Sequence, residues 1–108
     1  MTNFILIETT LPNLRLAKNL GKVLLEEKLA ACVQFCEVKS SYLWMNKIEN
    51  SREILLKIKT KKSLYFEVEK TIKKHHPYEI PQIFSVQIET GSRPYFDWIE
   101  KSTKKSSK

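Results

Sequence analysis

The sequence predicts an α+β fold in which strands and helices alternate in the order βαββαβ. Three observations predict it: two segments repeat apolar residues at helical spacing, four segments have strand patterns, and two of those strands are joined by a short turn. The most economical arrangement of this order is a four-stranded antiparallel sheet with two helices on one face. We therefore expect a ferredoxin-like sandwich, extended by a long β-hairpin and a short C-terminal helix.

The first half of the pattern is a central strand followed by a helix. Residues 3–9 are predicted as a strand, and the uninterrupted apolar run Phe4–Ile7 indicates that both of its faces are covered. Pro12 and Asn13 mark a helix start, and apolar residues then recur at helical spacing up to about Lys28. We expect this helix to pack on the sheet through that apolar stripe.

The hairpin comes next. Alternation between residues 31 and 44 predicts one strand, Met45–Lys47 the turn, and residues 49–60 the return strand. The period of two divides the return strand into an apolar face and a mixed face. The apolar face carries Ile54, Leu56 and Ile58, and the mixed face carries Glu53, Leu55, Lys57 and Lys59.

The second helix is predicted from an apolar stripe through Leu64, Val68 and Ile72, and the same spacing places His75 on its packing face. A fourth strand over residues 83–89 and a short helix after Pro94 complete the order. This arrangement leaves one sheet face bare, so we expect a partner subunit to cover it. The candidate residues for that face are Ile5, Ile7, Cys32, Cys36, Val38, Leu55 and Ile83.

Composition indicates one domain. Residues 1–100 are predicted to form it, and residues 101–108 are interpreted as a basic, solvated tail. The formal net charge is +7, but four lysines belong to that tail, so the charge is a weak indication of nucleic-acid binding. No run of residues is long and apolar enough for a membrane span, and the two cysteines are too few and wrongly spaced for a zinc site. We therefore expect a cytoplasmic protein.

The segment from His75 to Gln82 concentrates uncommon chemistry, because it holds both histidines, two of the four prolines and Glu79. Adjacent imidazoles can bind a divalent cation, and His75 and His76 are accordingly the candidate metal ligands. A stable site needs three or four ligands, which this segment alone does not supply. The competing interpretation is structural: His75 closes a helix and the prolines stop it.

Several segments together resemble the CutA family of divalent-cation tolerance proteins. They are Leu29–Val33, Ser41–Trp44, Lys47–Glu49, Leu56–Thr60, His76–Pro81 and Tyr95–Ile99, and they follow one another over nearly the whole chain. The resemblance implies a very stable homotrimer, similar to the PII signalling proteins, in which extended hairpins pair with neighbouring subunits. It also implies a role in tolerance of copper and other divalent cations, with no cofactor required.

In some members of this family, copper binding is assigned to two histidines and a cysteine of the first strand region. The histidines correspond to His75 and His76, but Thr9 stands at the position of the cysteine. A neutral hydroxyl is a poor ligand for a soft cation. We therefore expect Cu²⁺, or another divalent cation, to bind only weakly.

Two other function classes remain open. A PII-like protein would bind a small ligand in clefts between subunits, and the candidate lining residues are Tyr42, Trp44, Glu53, Lys59, Tyr78 and Glu79. A basic ferredoxin-like sheet can also bind RNA, although the strand from Ile54 to Ile58 carries no aromatic side chain for base stacking. Catalysis is not expected, because the chain has neither a Gly-rich phosphate loop nor a Ser/His/Asp set.

Overall fold

A computed structural model describes residues 3–106 of the chain. Within this range the elements follow the predicted order, with boundaries that differ by a few residues. They are β1 (Phe4–Leu11), α1 (Leu14–Glu26), β2 (Cys32–Trp44), β3 (Lys47–Lys61), a 3₁₀ turn (Lys62–Leu64), α2 (Tyr65–His75), β4 (Phe84–Gln87) and α3 (Arg93–Ser102). The predicted α+β class is confirmed.

The described strands form one antiparallel sheet with the order β2-β3-β1-β4. β1 is central and pairs with β3 from Phe4 opposite Lys61 to Leu11 opposite Ile54. Because directly opposite residues in an antiparallel pair point to the same side, this register fixes which side chains share a face. The strand order and the crossovers through α1 and α2 are those of the ferredoxin-like sandwich.

The hydrophobic core lies between the sheet and the helices α1 and α2. Ile7 and Ile58 are opposite each other in the register and have no exposed surface. Leu56, two residues earlier on β3, is likewise fully buried, and each such side chain contributes about 1.5–3 kcal/mol through removal from water. The two helices and the 3₁₀ turn before α2 supply the other half of this core, through Ala17, Leu20, Leu24, Leu64, Val68 and Ile72.

The predicted membership of the bare face was wrong for three residues. Ile5 and Ile7 are only 3% and 0% exposed and belong to the core. Ile83 is partly buried and packs against the same core. In the β1 register, Ile5 and Ile7 lie opposite Thr60 and Ile58, and this pairing turns both isoleucines toward the helices.

The opposite face of the sheet, here called the open face, carries the remaining candidates. Cys32, Cys36, Val38 and Leu55 lie on it, and all four keep solvent-accessible surface. The edge strand β4 adds Phe84 and Val86, which are 43% and 51% exposed.

One end of the open face is covered by α3. Phe96 stacks on Phe4 with ring centroids 4.6 Å apart, and Ile99 is fully buried. The N-cap Ser92 and Pro94 in the first turn start this helix in the usual way. The open face is therefore bare only over part of its length.

Beyond the end of β1, β2 and β3 continue as a two-stranded ribbon over residues 39–52, in which neither strand pairs with a third one among the described residues 3–106. Its turn places Met45 and Asn46 at φ values of 53° and 64°, the left-handed region that a two-residue hairpin turn requires. Leu43 and Ile48 face each other near the tip and are 74% and 72% exposed. This ribbon gives the chain its elongated shape.

The sequence pattern predicts a solvated tail over residues 101–108. In the structure, part of this segment packs against the rest of the chain. α3 runs through Lys101 to Ser102, and Thr103 is buried with its hydroxyl bonded to the Ile99 carbonyl. The Lys104 N–H donates to the Lys28 carbonyl, which ties this segment to the end of α1. Residues 107 and 108 lie outside the described range. The division into a domain of residues 1–100 and a tail of residues 101–108 stays a prediction.

Candidate functional site

His76 occupies the junction between α2 and the loop that leads to β4. The following Pro77 restricts it to an extended conformation, and its φ of −99° and ψ of 135° end the helix at His75. The ring then reaches β1, where Nε2 lies 2.6 Å from the Thr10 carbonyl oxygen. On the other side of the ring, Nδ1 accepts a hydrogen bond of 3.2 Å from the Tyr78 N–H.

These two contacts assign the proton of His76. A carbonyl can only accept, so Nε2 carries the hydrogen and Nδ1 uses its lone pair on Tyr78. Partial burial of the ring lowers the pKa of His76 below its ordinary value of 6.5, and this effect exceeds the opposing influence of Thr10 and Glu53. His76 is therefore held as a neutral imidazole whose nitrogens are both engaged.

His75 is placed differently from its neighbour. Its ring is exposed, and its Nδ1 lies 3.0 Å from the Thr71 carbonyl one turn earlier in α2, so Nδ1 donates and the Nε2 lone pair is directed elsewhere. The predicted packing role of His75 was wrong. The spacing was extrapolated past Ile72, the last buried residue of α2, to a position where the helix is no longer covered.

Tyr78 connects His76 to the sheet. Its hydroxyl donates a hydrogen bond of 3.3 Å to the Glu53 carboxylate, and its ring lies 4.9 Å from the His76 ring. Burial raises the pKa of the Tyr78 hydroxyl, and the negative charge of Glu53 raises it further. Glu53 is only 8% exposed. His76, Tyr78 and Glu53 thus form one contact set, here called the His-Tyr-Glu cluster.

A shallow groove of about 300 Å³ adjoins Glu53 where β1 ends and the ribbon begins. It combines apolar and charged walls, formed by Pro12, Glu37, Val38, Lys39, Arg52, Glu53 and Ile54. Lys39 and Arg52 are directly opposite each other in the register, an arrangement of like charges that destabilises a strand pair. Neither side chain has a carboxylate within ion-pair distance among residues 3–106. The groove therefore carries two basic and two acidic side chains, and the basic pair lies side by side.

The remaining predicted cleft residues are dispersed. Tyr42 is close enough to raise the pKa of Tyr78 electrostatically. Trp44 lies at the ribbon tip opposite Lys47, about 20 Å from the level of Glu53 along the strand. Lys59 lies in the other direction on β3, with its ammonium 5.5 Å from the Tyr95 ring centroid. Glu79 is exposed. Within one chain, the structure therefore brings together Glu53, Tyr78 and Tyr42 but not Trp44 or Lys59.

Thr9 does not contribute to this cluster. Its side chain is fully buried on the core face of β1, and its hydroxyl oxygen has no hydrogen-bond partner among the described residues. Over residues 3–106, no three His, Cys, Asp or Glu side chains are grouped closely enough to hold a metal ion. The role of His75 and His76 as metal ligands stays a prediction.

The sequence pattern did not reveal two features of this site. The Thr10 carbonyl that receives the His76 hydrogen bond is a backbone atom, so no residue type signals it. Lys39 and Arg52 belong to the site only because the hairpin register sets them opposite each other. The turn at Met45 and Asn46, which fixes that register, was the available signal.

Comparison with known proteins gives the family. A family model described as CutA1 divalent ion tolerance protein matches residues 5–102. The chain belongs to the CutA1 family. Its sequence is 40% identical to the divalent-cation tolerance protein CutA of Archaeoglobus fulgidus over 102 residues, which are 94% of this chain and 98% of that protein.

Solved CutA1 structures share its fold. The crystal structure of CutA1 from Oryza sativa superimposes with a TM-score of 0.93 at 35% identity and covers 95% of each chain. CutA1 from a psychrotrophic Shewanella superimposes with a TM-score of 0.91 at 37% identity, covering 94% of this chain and 95% of that one.

Several CutA relatives are longer than this chain. It is 35% identical to the mouse protein CutA over 99 residues, which are 91% of this chain but only 56% of the mouse protein. The relatives also differ in the location that their names state, since one from rice is called chloroplastic and the structure from Archaeoglobus fulgidus is called periplasmic. Among residues 3–106, none of the helices has the length and apolar character needed to cross a membrane.

Proposed function

We propose that this CutA1-family chain acts as a non-enzymatic homotrimer in the tolerance of divalent cations. The observation that carries the assembly is the ribbon of residues 39–52, which projects from the sheet without a third strand. The family resemblance supplies the number of subunits and the link to cations. The cytoplasm is the location we propose for it.

The ribbon requires a partner for physical reasons. An isolated two-stranded hairpin is at best marginally stable in water, because its strands have too few neighbours to bury apolar surface. Here Leu43, Met45 and Ile48 are more than 70% exposed in the single subunit. Covering such side chains removes apolar area from water at roughly 25 cal/mol per Å². Pairing with a second copy of the chain satisfies both requirements.

The open face supports the same assembly. Phe84 and Val86 are about half exposed on β4, and Leu55 is incompletely covered on β3. Apolar residues grouped on one sheet face commonly mark a subunit interface. The ribbon and the open face are continuous along β2 and β3, so one neighbouring subunit can contact both.

A charged substitution at the ribbon tip tests this proposal. Ile48→Lys places an ammonium group in the proposed interface, and we expect sedimentation velocity to show partial or complete dissociation to monomers. The matched control is Phe66→Lys, since Phe66 is 79% exposed on α2 and belongs to neither surface. Equal sedimentation of the two variants as trimers would contradict the role of the ribbon tip.

A second candidate function, supported by the groove, is binding of a small anion at a subunit boundary. Lys39 and Arg52 provide positive charge beside the carboxylates of Glu37 and Glu53, and the Tyr78 hydroxyl holds the Glu53 carboxylate in place. Isothermal titration of the wild-type protein with nucleotides and small carboxylic acids tests it. Retained binding in Arg52→Gln would contradict an anion site here, and Lys47→Gln is a charge-matched control at the ribbon tip.

A further inference from the structure

A second groove lies at the other end of β3, about eight residues or 26 Å along the strand from Glu53. Its volume is about 480 Å³, within the range of small-molecule sites. Three separate parts of the chain line it. They are Asn3 before β1, the segment 61–63 at the end of β3 and the start of the 3₁₀ turn, and Glu100, Lys105 and Ser106 from α3 and the residues beyond it.

The charge around this groove is strongly positive. Lys61, Lys62 and Lys105 line it against a single carboxylate, that of Glu100. Glu100 is already paired, with its Oε2 3.3 Å from the Lys61 Nζ. Lys62 and Lys105 have no carboxylate within 4.0 Å in the part of the chain that the structure describes. Two lysines therefore face the groove without a counter-charge.

Lys61 makes this more than a patch of surface lysines. The residue is only 7% exposed, because it lies on the open face beneath α3. An ammonium group has three N–H donors, and within residues 3–106 one of them is used, on a Glu100 side chain that is itself 57% exposed. Burying a charge is costly unless it is paired and hydrogen-bonded, so this ammonium favours an additional anion beside it.

We propose that this groove binds the pyrophosphate group of a small molecule. Lysines bind phosphate oxygens as point charges. Three lysines and one carboxylate line the groove, so its net charge of +2 is complementary to two linked phosphates. The volume exceeds what a single phosphate fills. The Ser63 hydroxyl lines the same groove and is available as a further donor. This proposal rests on neither the proposed trimer nor the groove at Glu53, and the two grooves share no lining residue.

Isothermal titration of the full chain with sodium pyrophosphate at low ionic strength tests the site. We expect saturable binding with one site per chain, weakened about tenfold or more in Lys62→Gln/Lys105→Gln, because two charge-assisted contacts are lost. The control is Lys70→Gln/Lys74→Gln, which makes the same change in net charge at exposed positions of α2. All four lysines are exposed, so neither double variant removes a buried contact.

Three results would overturn the proposal. The first two are the absence of saturable heat in the pyrophosphate titration and equal weakening of pyrophosphate binding by the two double variants. The third, from parallel titrations, is binding of adenosine as tight as that of ADP. The first excludes a site, the second indicates attraction by net charge alone, and the third shows that phosphate groups do not carry recognition. Binding of both pyrophosphate and ADP, with none of adenosine, would support a nucleotide as the source of the phosphates.

Discussion

The Tyr78 hydroxyl donates a hydrogen bond of 3.3 Å to the Glu53 carboxylate and so joins the loop after α2 to β3. Glu53 lies just beyond the last paired position of β1, where the four-stranded sheet narrows to the ribbon. The Tyr78 backbone N–H also donates a hydrogen bond to His76 Nδ1. One tyrosine therefore positions both the histidine and the carboxylate at the base of the ribbon.

Removal of this hydroxyl should destabilise the subunit. Tyr78→Phe leaves a largely buried Glu53 carboxylate without its donor, and we expect a loss of about 1–2 kcal/mol in the free energy of unfolding. Guanidine denaturation at fixed protein concentration measures it. Tyr42→Phe is the control, because it removes a hydroxyl from an exposed tyrosine of the ribbon. Equal denaturation midpoints for wild type and Tyr78→Phe would show that the bond contributes nothing.

Burial of His76 predicts a pH dependence of stability. Its pKa is lowered in the folded state, so between that pKa and about 6.5 the unfolded chain binds more protons than the folded one. Stability therefore falls as the pH drops through this window, and it is fully restored above it. Protonation would also turn the Nδ1 acceptor of the Tyr78 N–H into a donor.

Denaturation midpoints measured from pH 8 to pH 5 check this prediction. We expect His76→Gln to show a smaller decline than wild type, because the substituted side chain does not titrate. The control is His75→Gln, which replaces the exposed neighbour. An undiminished decline in His76→Gln would assign the pH dependence to other groups.

Copper binding, if it occurs at the histidine pair, should depend more on His75 than on His76. His75 keeps its Nε2 lone pair available, whereas a cation on His76 must displace the Tyr78 N–H or the Thr10 contact. We expect weak binding of Cu²⁺ that His75→Ala removes and His76→Ala largely retains. Calorimetric titration of both variants decides it, and the reverse order of effects would contradict the assigned hydrogen bonds.

The register of β3 predicts opposite outcomes for two adjacent leucines. Leu56 is fully buried in the core, so Leu56→Ala should reduce the free energy of unfolding by about 2–5 kcal/mol. Leu55 points to the open face, and Leu55→Ala should chiefly weaken subunit association. Guanidine denaturation and sedimentation equilibrium of both variants separate these effects. A larger loss of unfolding free energy for Leu55→Ala than for Leu56→Ala would contradict the assignment of Leu56 to the core.

The sequence predicted the hairpin well because alternation in β3 identifies two distinct faces. The prediction that Ile5 and Ile7 lie on the bare sheet face failed. The run from Phe4 to Ile7 is apolar at every position, so it has no alternation that could show which side of β1 faces the helices. Pairing across the sheet decides the matter, since Ile7 lies opposite the buried Ile58. Such information depends on register and is absent from the strand itself.

The candidate site was predictable only in part. Pro77 indicated correctly that the helix ends at His75, yet the direction of each imidazole depends on carbonyls of Thr10 and Thr71 that no side-chain pattern reveals. The buried Lys61 was also unexpected, because a lysine at a strand end is typically solvated. Its burial follows from the packing of α3 on the open face.

Sedimentation equilibrium of the wild-type protein at micromolar concentration measures the number of chains in the assembled species. We infer assembly from the ribbon, which has no third strand within residues 3–106, and from the incompletely covered sheet face. We predict a single species with three times the mass of the chain. A folded species with the mass of one chain, showing the same sheet content by circular dichroism, would contradict the account.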